Sequence, residues 1–92
     1  MGDNPLHLEL YTRPGCHLCE DLRTLCERLR GEFRLQLTEV NVDAGPALAA
    51  RYGGEVPVLW IDGRKAVKFR TTEAVLRRMV QRRLFLRQLL GI

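Results

Sequence analysis

Residues 6–19 read Leu-His-Leu-Glu-Leu-Tyr-Thr-Arg-Pro-Gly-Cys-His-Leu-Cys, and this stretch decides the fold. Apolar and polar residues alternate over 6–11, which is typical of a half-buried β-strand, and Pro14-Gly15 is typical of a tight turn. From Cys16 onward an apolar face recurs at helical spacing and stops near Gly31, and it consists of Leu18, Leu22, Leu25 and Leu29. The stretch therefore predicts a strand, a tight turn and a helix that begins with a pair of cysteines.

The rest of the chain predicts three further strands and two further helices. The run from Val56 to Ile61 contains no polar side chain, which is typical of a strand buried on both faces of a sheet. Asp62-Gly63 directly after it is typical of a hairpin turn. Strands are predicted over 33–42, 56–61 and 65–69, and helices over 47–52 and from a cap at Thr71 or Thr72 toward Leu90. The order β-α-β-α-β-β-α predicts an α/β fold in which helical crossovers join parallel strands and the hairpin adds an antiparallel one.

Length and composition limit the classes of protein that fit. A chain of 92 residues, 46% hydrophobic and 28% charged, predicts one globular domain over 1–92. No apolar run approaches the roughly 18 residues that a membrane span needs, and the start Met-Gly-Asp-Asn-Pro lacks the features of a signal peptide. We therefore expect a cytoplasmic protein that has no membrane partner.

The cysteines carry the chemistry that the sequence indicates. Three cysteines are too few for a disulfide-stapled secreted scaffold but suit a redox or metal motif. Cys16 is predicted at the N-terminus of a helix, where free N–H groups and the helix dipole stabilise a thiolate, and Cys19 lies one turn further along. We interpret Cys16 as the nucleophile that attacks a disulfide and Cys19 as the thiol that resolves the mixed disulfide.

The cysteines also have alternative roles. A structural zinc site needs four ligands, and the chain has no second Cys pair or Cys-His pair, so we expect no metal held within one chain. A metal cluster shared between two chains stays open. Cys26 lies about 10 Å along the same helix from Cys19, too far for a disulfide, and is interpreted as a small buried apolar residue.

The last predicted helix has a less regular apolar pattern than the first. Its stripe is set by Leu76, Met79, Leu86 and Leu90, whereas Leu84 and Phe85 fall outside it. Its arginines spread around the helix instead of forming one basic stripe, and they are Arg77, Arg78, Arg82, Arg83 and Arg87. Because no nucleic-acid motif accompanies them, we interpret the net charge of +4 as solvated surface and do not expect nucleic acid as a partner.

The motif Tyr-Thr-Arg-Pro-Gly-Cys-His-Leu-Cys over 11–19, with Arg51-Tyr52-Gly53 and Val56-Pro57, resembles the glutaredoxin-like branch of the thioredoxin superfamily. In particular, the chain is similar to small bacterial members with a Cys-His-Leu-Cys motif. The resemblance covers nearly the whole chain and implies a thioredoxin fold, with a four-stranded mixed sheet and helices on both faces. It also implies a cis Val56–Pro57 bond facing the cysteines, so that Val56 and Pro57 contact an extended substrate segment.

The same resemblance implies a function. It is that of an oxidoreductase that reduces protein disulfides or glutathione mixed disulfides, with glutathione or a thioredoxin-type reductase as electron donor and no permanently bound cofactor. Arg13 stands where glutaredoxins carry a lysine, and with His17 it is a candidate for contact with the thiolate or glutathione. After the hairpin, residues 68–73 replace the family's Gly-Gly and acidic pair, which leaves Thr71 and Thr72 as candidate donors to a carboxylate. A weakly active redox sensor or binding module is the alternative function.

Overall fold

The computed structural model describes residues 4–91 and has the predicted order of strands and helices. The strands are β1 (Leu6–Thr12), β2 (Leu35–Asn41), β3 (Val58–Ile61) and β4 (Arg64–Lys68), and the helices are α1 (His17–Arg30), α2 (Pro46–Tyr52) and α3 (Glu73–Leu90). A 3₁₀ turn that the sequence did not indicate, Val42–Ala44, follows β2. The strands β2 and β3 are shorter than predicted, and Val56-Pro57 lies in the loop before β3 rather than in it.

The sheet is mixed and has the order β2-β1-β3-β4. Strand β2 is parallel to β1, as expected for a helical crossover, and β4 is antiparallel to β3. Strand β3 is antiparallel to β1, so the prediction that the second crossover would also join parallel strands was wrong. The helix α2 is too short for a parallel connection. Its seven residues span about 10 Å, so it cannot return the chain along the roughly 23 Å of the seven-residue strand β2.

Helices cover both faces of the sheet, in agreement with the predicted thioredoxin fold. Successive residues of β1 point to opposite faces. On one face, which we call the leucine face, Leu6, Leu8 and Leu10 pack with residues of α1 and α3. On the other, the aromatic face, Tyr11 and Trp60 pack with Leu48, Tyr52, Val42, Val56 and Val58 around α2.

The buried residues of helix α3 differ from the apolar stripe that was predicted for it. It begins at a cap, since the Thr72 hydroxyl accepts a hydrogen bond from the Val75 N–H at 3.2 Å. Its first half is buried through Leu76 and Val80, and Leu84 packs on the same cluster although the pattern placed it outside. Leu90, predicted within the stripe, is 64% exposed. Leu89 in the same turn is 68% exposed, so the last turn of α3 does not pack on the core.

None of the helices described within residues 4–91 is long and apolar enough to cross a membrane.

Candidate active site

Three loops meet at one end of the sheet, and together they form the candidate site. The pairing of Tyr11 with Val58, and of Val58 with Lys68, brings the end of β1, the start of β3 and the end of β4 to the same edge. A hydrogen bond of 2.8 Å from the Phe69 N–H to the Pro57 carbonyl joins the last two loops. This end of the sheet therefore carries the cysteine motif, Val56-Pro57 and the residues before α3.

Cys16 caps the N-terminus of α1. Its backbone is extended, with φ of −101° and ψ of 111°, and its Sγ accepts a hydrogen bond from the Cys19 N–H at 3.2 Å. The preceding Gly15 has a φ of 74°, a left-handed conformation that glycine adopts without a steric cost. The turn thus places the sulfur directly above the unpaired N–H groups at the start of the helix, where a negative charge is stabilised.

The two cysteines are bonded to each other and differ in exposure. Their sulfurs form a disulfide, and their Cα atoms are 5.2 Å apart, which is within the usual range for such bridges. The Cys16 side chain is half-buried, whereas Cys19 is 1% exposed. An incoming molecule therefore reaches Cys16, and Cys19 is accessible only from within the site.

Val56 and Pro57 lie at this edge as the resemblance implied, and the peptide bond between them is cis. The Pro57 side chain is fully buried, and Val56 is half-buried against the cluster of Val42, Tyr52 and Val58. Among the backbone hydrogen bonds of turns and loops in residues 4–91, Val56 neither donates nor accepts. Its N–H and C=O groups thus have no backbone partner among these segments.

The other predicted ligand contacts lie around the same edge. His17 is exposed in the first turn of α1, Thr71 is half-buried, and Thr72 is exposed but already caps α3. The Arg13 guanidinium, by contrast, is engaged by other groups of the protein, with hydrogen bonds to the Asp43 carboxylate and the Gly53 carbonyl. Its predicted contact with a thiolate or with glutathione stays a prediction, and it competes with these internal bonds.

A cleft along α1 that includes Leu18 of the cysteine motif was not indicated by the sequence. It has a volume of about 240 Å³, and it is lined by Leu18, Asp21, Leu22, Leu25, Arg70 and Thr71. The floor is the leucine side of α1, and the rim carries one acidic and one basic side chain. Asp21 and Arg70 are far apart in the chain, so no local pattern could have placed them in one cleft.

Cys26 is separate from the site. It is fully buried in the leucine-face cluster, as predicted, and burial raises the pKa of its thiol to about 12. Such a thiol stays protonated at neutral pH and reacts slowly. Within residues 4–91, no three His, Cys, Asp or Glu side chains come together as metal ligands.

A strand, a turn and a helix that begins with Cys-X-X-Cys, opposite a cis-proline on the same sheet edge, define the protein as a member of the thioredoxin superfamily. Within that superfamily the chain belongs to the family described as glutaredoxin-like domain (DUF836), whose model matches residues 7–81. The expected glutaredoxin-like membership is thereby confirmed.

Known proteins agree with this assignment. An uncharacterized protein of Mycobacterium tuberculosis is 30% identical over 83 residues, which are 85% of this chain and 86% of that protein. An X. campestris structure is 31% identical with a TM-score of 0.69 and covers 80% of this chain and 95% of its own. A mutant thioredoxin from Halobacterium salinarum is 27% identical with a TM-score of 0.61, covering 87% of this chain and 75% of its own.

Proposed function

We propose that the protein is a thiol–disulfide oxidoreductase that reduces protein disulfides or glutathione mixed disulfides. The observation that carries this proposal is the inequality of the two cysteines. Cys16 is half-buried at the N-terminus of α1, and Cys19 is buried one turn below it at bonding distance. A nucleophile needs access and a stabilised anion, and a resolving thiol needs only to reach the first sulfur.

The reaction proceeds by two exchanges of sulfur. The Cys16 thiolate attacks one sulfur of the substrate disulfide, and the other sulfur leaves as a thiolate that takes up a proton. Cys19, after losing its proton, attacks the Cys16 sulfur and releases the second substrate thiol, which leaves the Cys16–Cys19 disulfide. Two electrons have then passed from the cysteine pair to the substrate. With a glutathione mixed disulfide, a free glutathione thiolate can resolve the intermediate instead, and oxidised glutathione is released.

Substrate binding in this proposal uses the free backbone of Val56. An extended segment that carries the substrate cysteine pairs with the Val56 N–H and C=O, as in strand addition to a sheet. Pro57, whose side chain is buried, holds the Val56 backbone in position in this proposal, while His17, Thr71 and Thr72 contact a glutathione carboxylate or a polar group of a protein substrate. We propose the whole chain, 1–92, as one catalytic domain.

The cycle requires an electron donor, for which we propose glutathione or a thioredoxin-type reductase. No permanently bound cofactor is part of the cycle. Because these donors keep thiols reduced in the cytoplasm, we propose that compartment as the place where the enzyme works.

The test is turnover of a glutathionylated peptide and of a protein disulfide by wild type, Cys16→Ser and Cys19→Ser. We expect Cys16→Ser to lose activity on both substrates. Cys19→Ser should keep activity on the glutathionylated peptide, where glutathione can resolve the intermediate, and lose activity on the protein disulfide. Cys26→Ala is the matched control and should keep both activities. Absence of turnover by the wild type with either donor would overturn the proposal.

A redox sensor or binding module is the second candidate, and the internal contacts of Arg13 favour it. A basic side chain that is engaged by Asp43 and Gly53 contributes less to holding an anionic glutathione. In this case the Cys16–Cys19 disulfide forms and breaks with the redox poise without catalysing turnover. Metal analysis of protein purified without oxygen tests the further version in which two chains share a metal cluster.

A further inference from the structure

We infer that Arg13 is a positioning residue that fastens the loop carrying Cys16 to the loop carrying Val56 and Pro57. It acts through Asp43 and Gly53, and we call these three residues the Arg13 clamp. The inference rests on the proposed function, because it concerns how the same site is held in its working geometry.

The guanidinium makes three hydrogen bonds to two separate segments. Its Nη1 donates to the Gly53 carbonyl at 2.7 Å, and its Nη2 and Nε donate to the two oxygens of the Asp43 carboxylate at 2.8 Å and 3.3 Å. Arginine suits this arrangement because its donors form a rigid planar fork, whereas lysine presents a single flexible ammonium group.

The position of these residues along the chain gives the contacts their effect. Arg13 lies three residues before Cys16, and Gly53 lies three residues before Val56. Arg13 and Gly53 thus each lie in the same short loop as a group that we propose to contact the substrate. These groups are Cys16 and Val56, respectively. A displacement of either loop would change the distance between the Cys16 sulfur and the backbone that receives the substrate.

Both anchors of the clamp are themselves fixed. The Asp43 N–H donates to the Asn41 side chain at 2.9 Å, which holds the 3₁₀ turn after β2. The Gly53 N–H donates to the Ala49 carbonyl at 2.9 Å at the end of α2. A Cβ atom at position 53 would lie 2.5 Å from that carbonyl oxygen and 3.3 Å from Arg13 Nη2, so only glycine allows the close approach.

An aromatic contact runs beside the clamp and joins the same segments. The ring centroids of Tyr11 and Tyr52 are 4.5 Å apart. Tyr11 lies two positions before Arg13 in the sequence, and Tyr52 lies one position before Gly53. The motif pair Tyr-Thr-Arg and Arg-Tyr-Gly therefore forms two parallel links between β1 and the end of α2.

The ion pair also removes a free charge from the site. The hydrogen bond and charge of Arg13 lower the pKa of Asp43, so the carboxylate is ionised at neutral pH and balances the guanidinium. Because both side chains are partly exposed, at 37% and 45%, the pair adds little to global stability. Its effect should appear in the geometry of the site rather than in the free energy of unfolding.

Two explanations of Arg13 predict opposite results for Asp43→Asn. If Arg13 presents its charge to glutathione, Asp43→Asn frees that charge and lowers the KM for a glutathionylated peptide, and Arg13→Lys keeps most activity. If Arg13 positions the loops, Asp43→Asn and Arg13→Met both lower kcat/KM by roughly 10- to 100-fold, and Arg13→Lys does not restore it. The kcat/KM of the double variant Arg13→Met/Asp43→Asn should be no lower than that of Arg13→Met, because both substitutions break the same hydrogen-bond network.

The experiment measures kcat and KM for these variants, with Arg78→Met as the control for loss of an exposed arginine. Hydrogen exchange of the Gly53 and Glu55 amides, which are bonded to the Ala49 and Tyr52 carbonyls, is measured in parallel and should be faster in Arg13→Met and Asp43→Asn than in wild type. An unchanged exchange rate, or a lowered KM in Asp43→Asn, would overturn the clamp. Should the wild type have no turnover, the proposed function fails, while faster exchange in both variants still supports the clamp.

Discussion

The two faces of the sheet are built from different residues and serve different ends. The leucine face buries aliphatic side chains completely, among them Leu6, Leu8, Leu10, Leu59 and Leu76. The aromatic face buries fewer side chains, Tyr11 and Trp60 on it remain half-buried, and the polar Arg13 clamp joins the segments that follow Tyr11 and Tyr52. Complete burial of aliphatic groups gives the larger hydrophobic stabilisation, whereas directional contacts fix positions. The comparison indicates that one face holds the fold together and the other holds the site in place.

The largest loss of free energy of unfolding is expected from a substitution at the centre of the leucine face. Leu8 is fully buried in β1, and Leu8→Ala should lower the free energy of unfolding by about 2–5 kcal/mol through lost burial and a cavity. Urea denaturation followed by the fluorescence of Trp60, the one tryptophan, measures this. Glu9→Ala, the adjacent residue facing the other side, is the matched control and should cost about 0.5 kcal/mol or less. Equal costs for the two variants would contradict the difference between the faces.

An intermediate effect is expected from the aromatic face. Tyr52→Leu removes the contact with Tyr11 and should lower the free energy of unfolding by about 0.5–1.5 kcal/mol beyond the change in buried area. Because Tyr52 adjoins the clamp, the KM for a glutathionylated peptide should rise as well. Tyr52→Phe keeps the ring and should resemble wild type in both measurements. A loss of stability with no change in KM would show that this face supports the fold alone.

The smallest expected effect concerns the ion pairs at the rim of the leucine face. Arg28 and Arg77 bond to Glu73, and Arg77 also bonds to Glu32, which joins the end of α1 to the start of α3. These bonds lower the pKa of Glu32 and of Glu73 in the folded state. A lowered folded-state pKa stabilises the fold above the ordinary glutamate pKa of about 4.3, and the contribution disappears as the pH falls through the folded-state value.

Thermal unfolding of wild type and Arg77→Met as a function of pH measures this contribution. We expect a slightly lower Tm for the variant at pH 7, because exposed ion pairs stabilise weakly, and convergence of the two Tm values in acid. Arg78→Met, which changes a neighbouring exposed arginine, should follow the wild type throughout. A Tm difference that persists after both glutamates are protonated would assign the effect to packing of the arginine stem instead.

The local elements of this fold were largely predictable from the sequence. Alternation over 6–11, the Pro-Gly turn and the leucine spacing after Cys16 each act within a few residues, and the structure has the strand, the turn and the helix in those places. The cap of α3 was predicted for the same reason at Thr71 or Thr72, and the structure places it at Thr72. The position of Val56-Pro57 beside the cysteines, and its cis bond, came from the resemblance to a family and not from the residues themselves.

The features that were missed or wrong depend on distant contacts. The direction of β3 follows from how far α2 carries the chain, and periodicity does not encode it. The burial of Leu84 and the exposure of Leu90 depend on which part of α3 packs on the core, and helical spacing alone does not give this. Asp43 and Gly53 lie 30 and 40 residues from Arg13, so the partners of its guanidinium could not be read from its neighbours.

The sequence by itself determined the cysteine pair at a helix N-terminus, because strand alternation, turn chemistry and helical spacing are properties of consecutive residues. Only the tertiary structure decided that Cys16 is accessible while Cys19 is buried, that Val56 has a free backbone, and that the Arg13 charge is balanced. Exposure, free hydrogen-bonding groups and charge balance are all set by which segments pack together. Consecutive residues therefore determine the chemistry of the site, and tertiary packing determines its geometry.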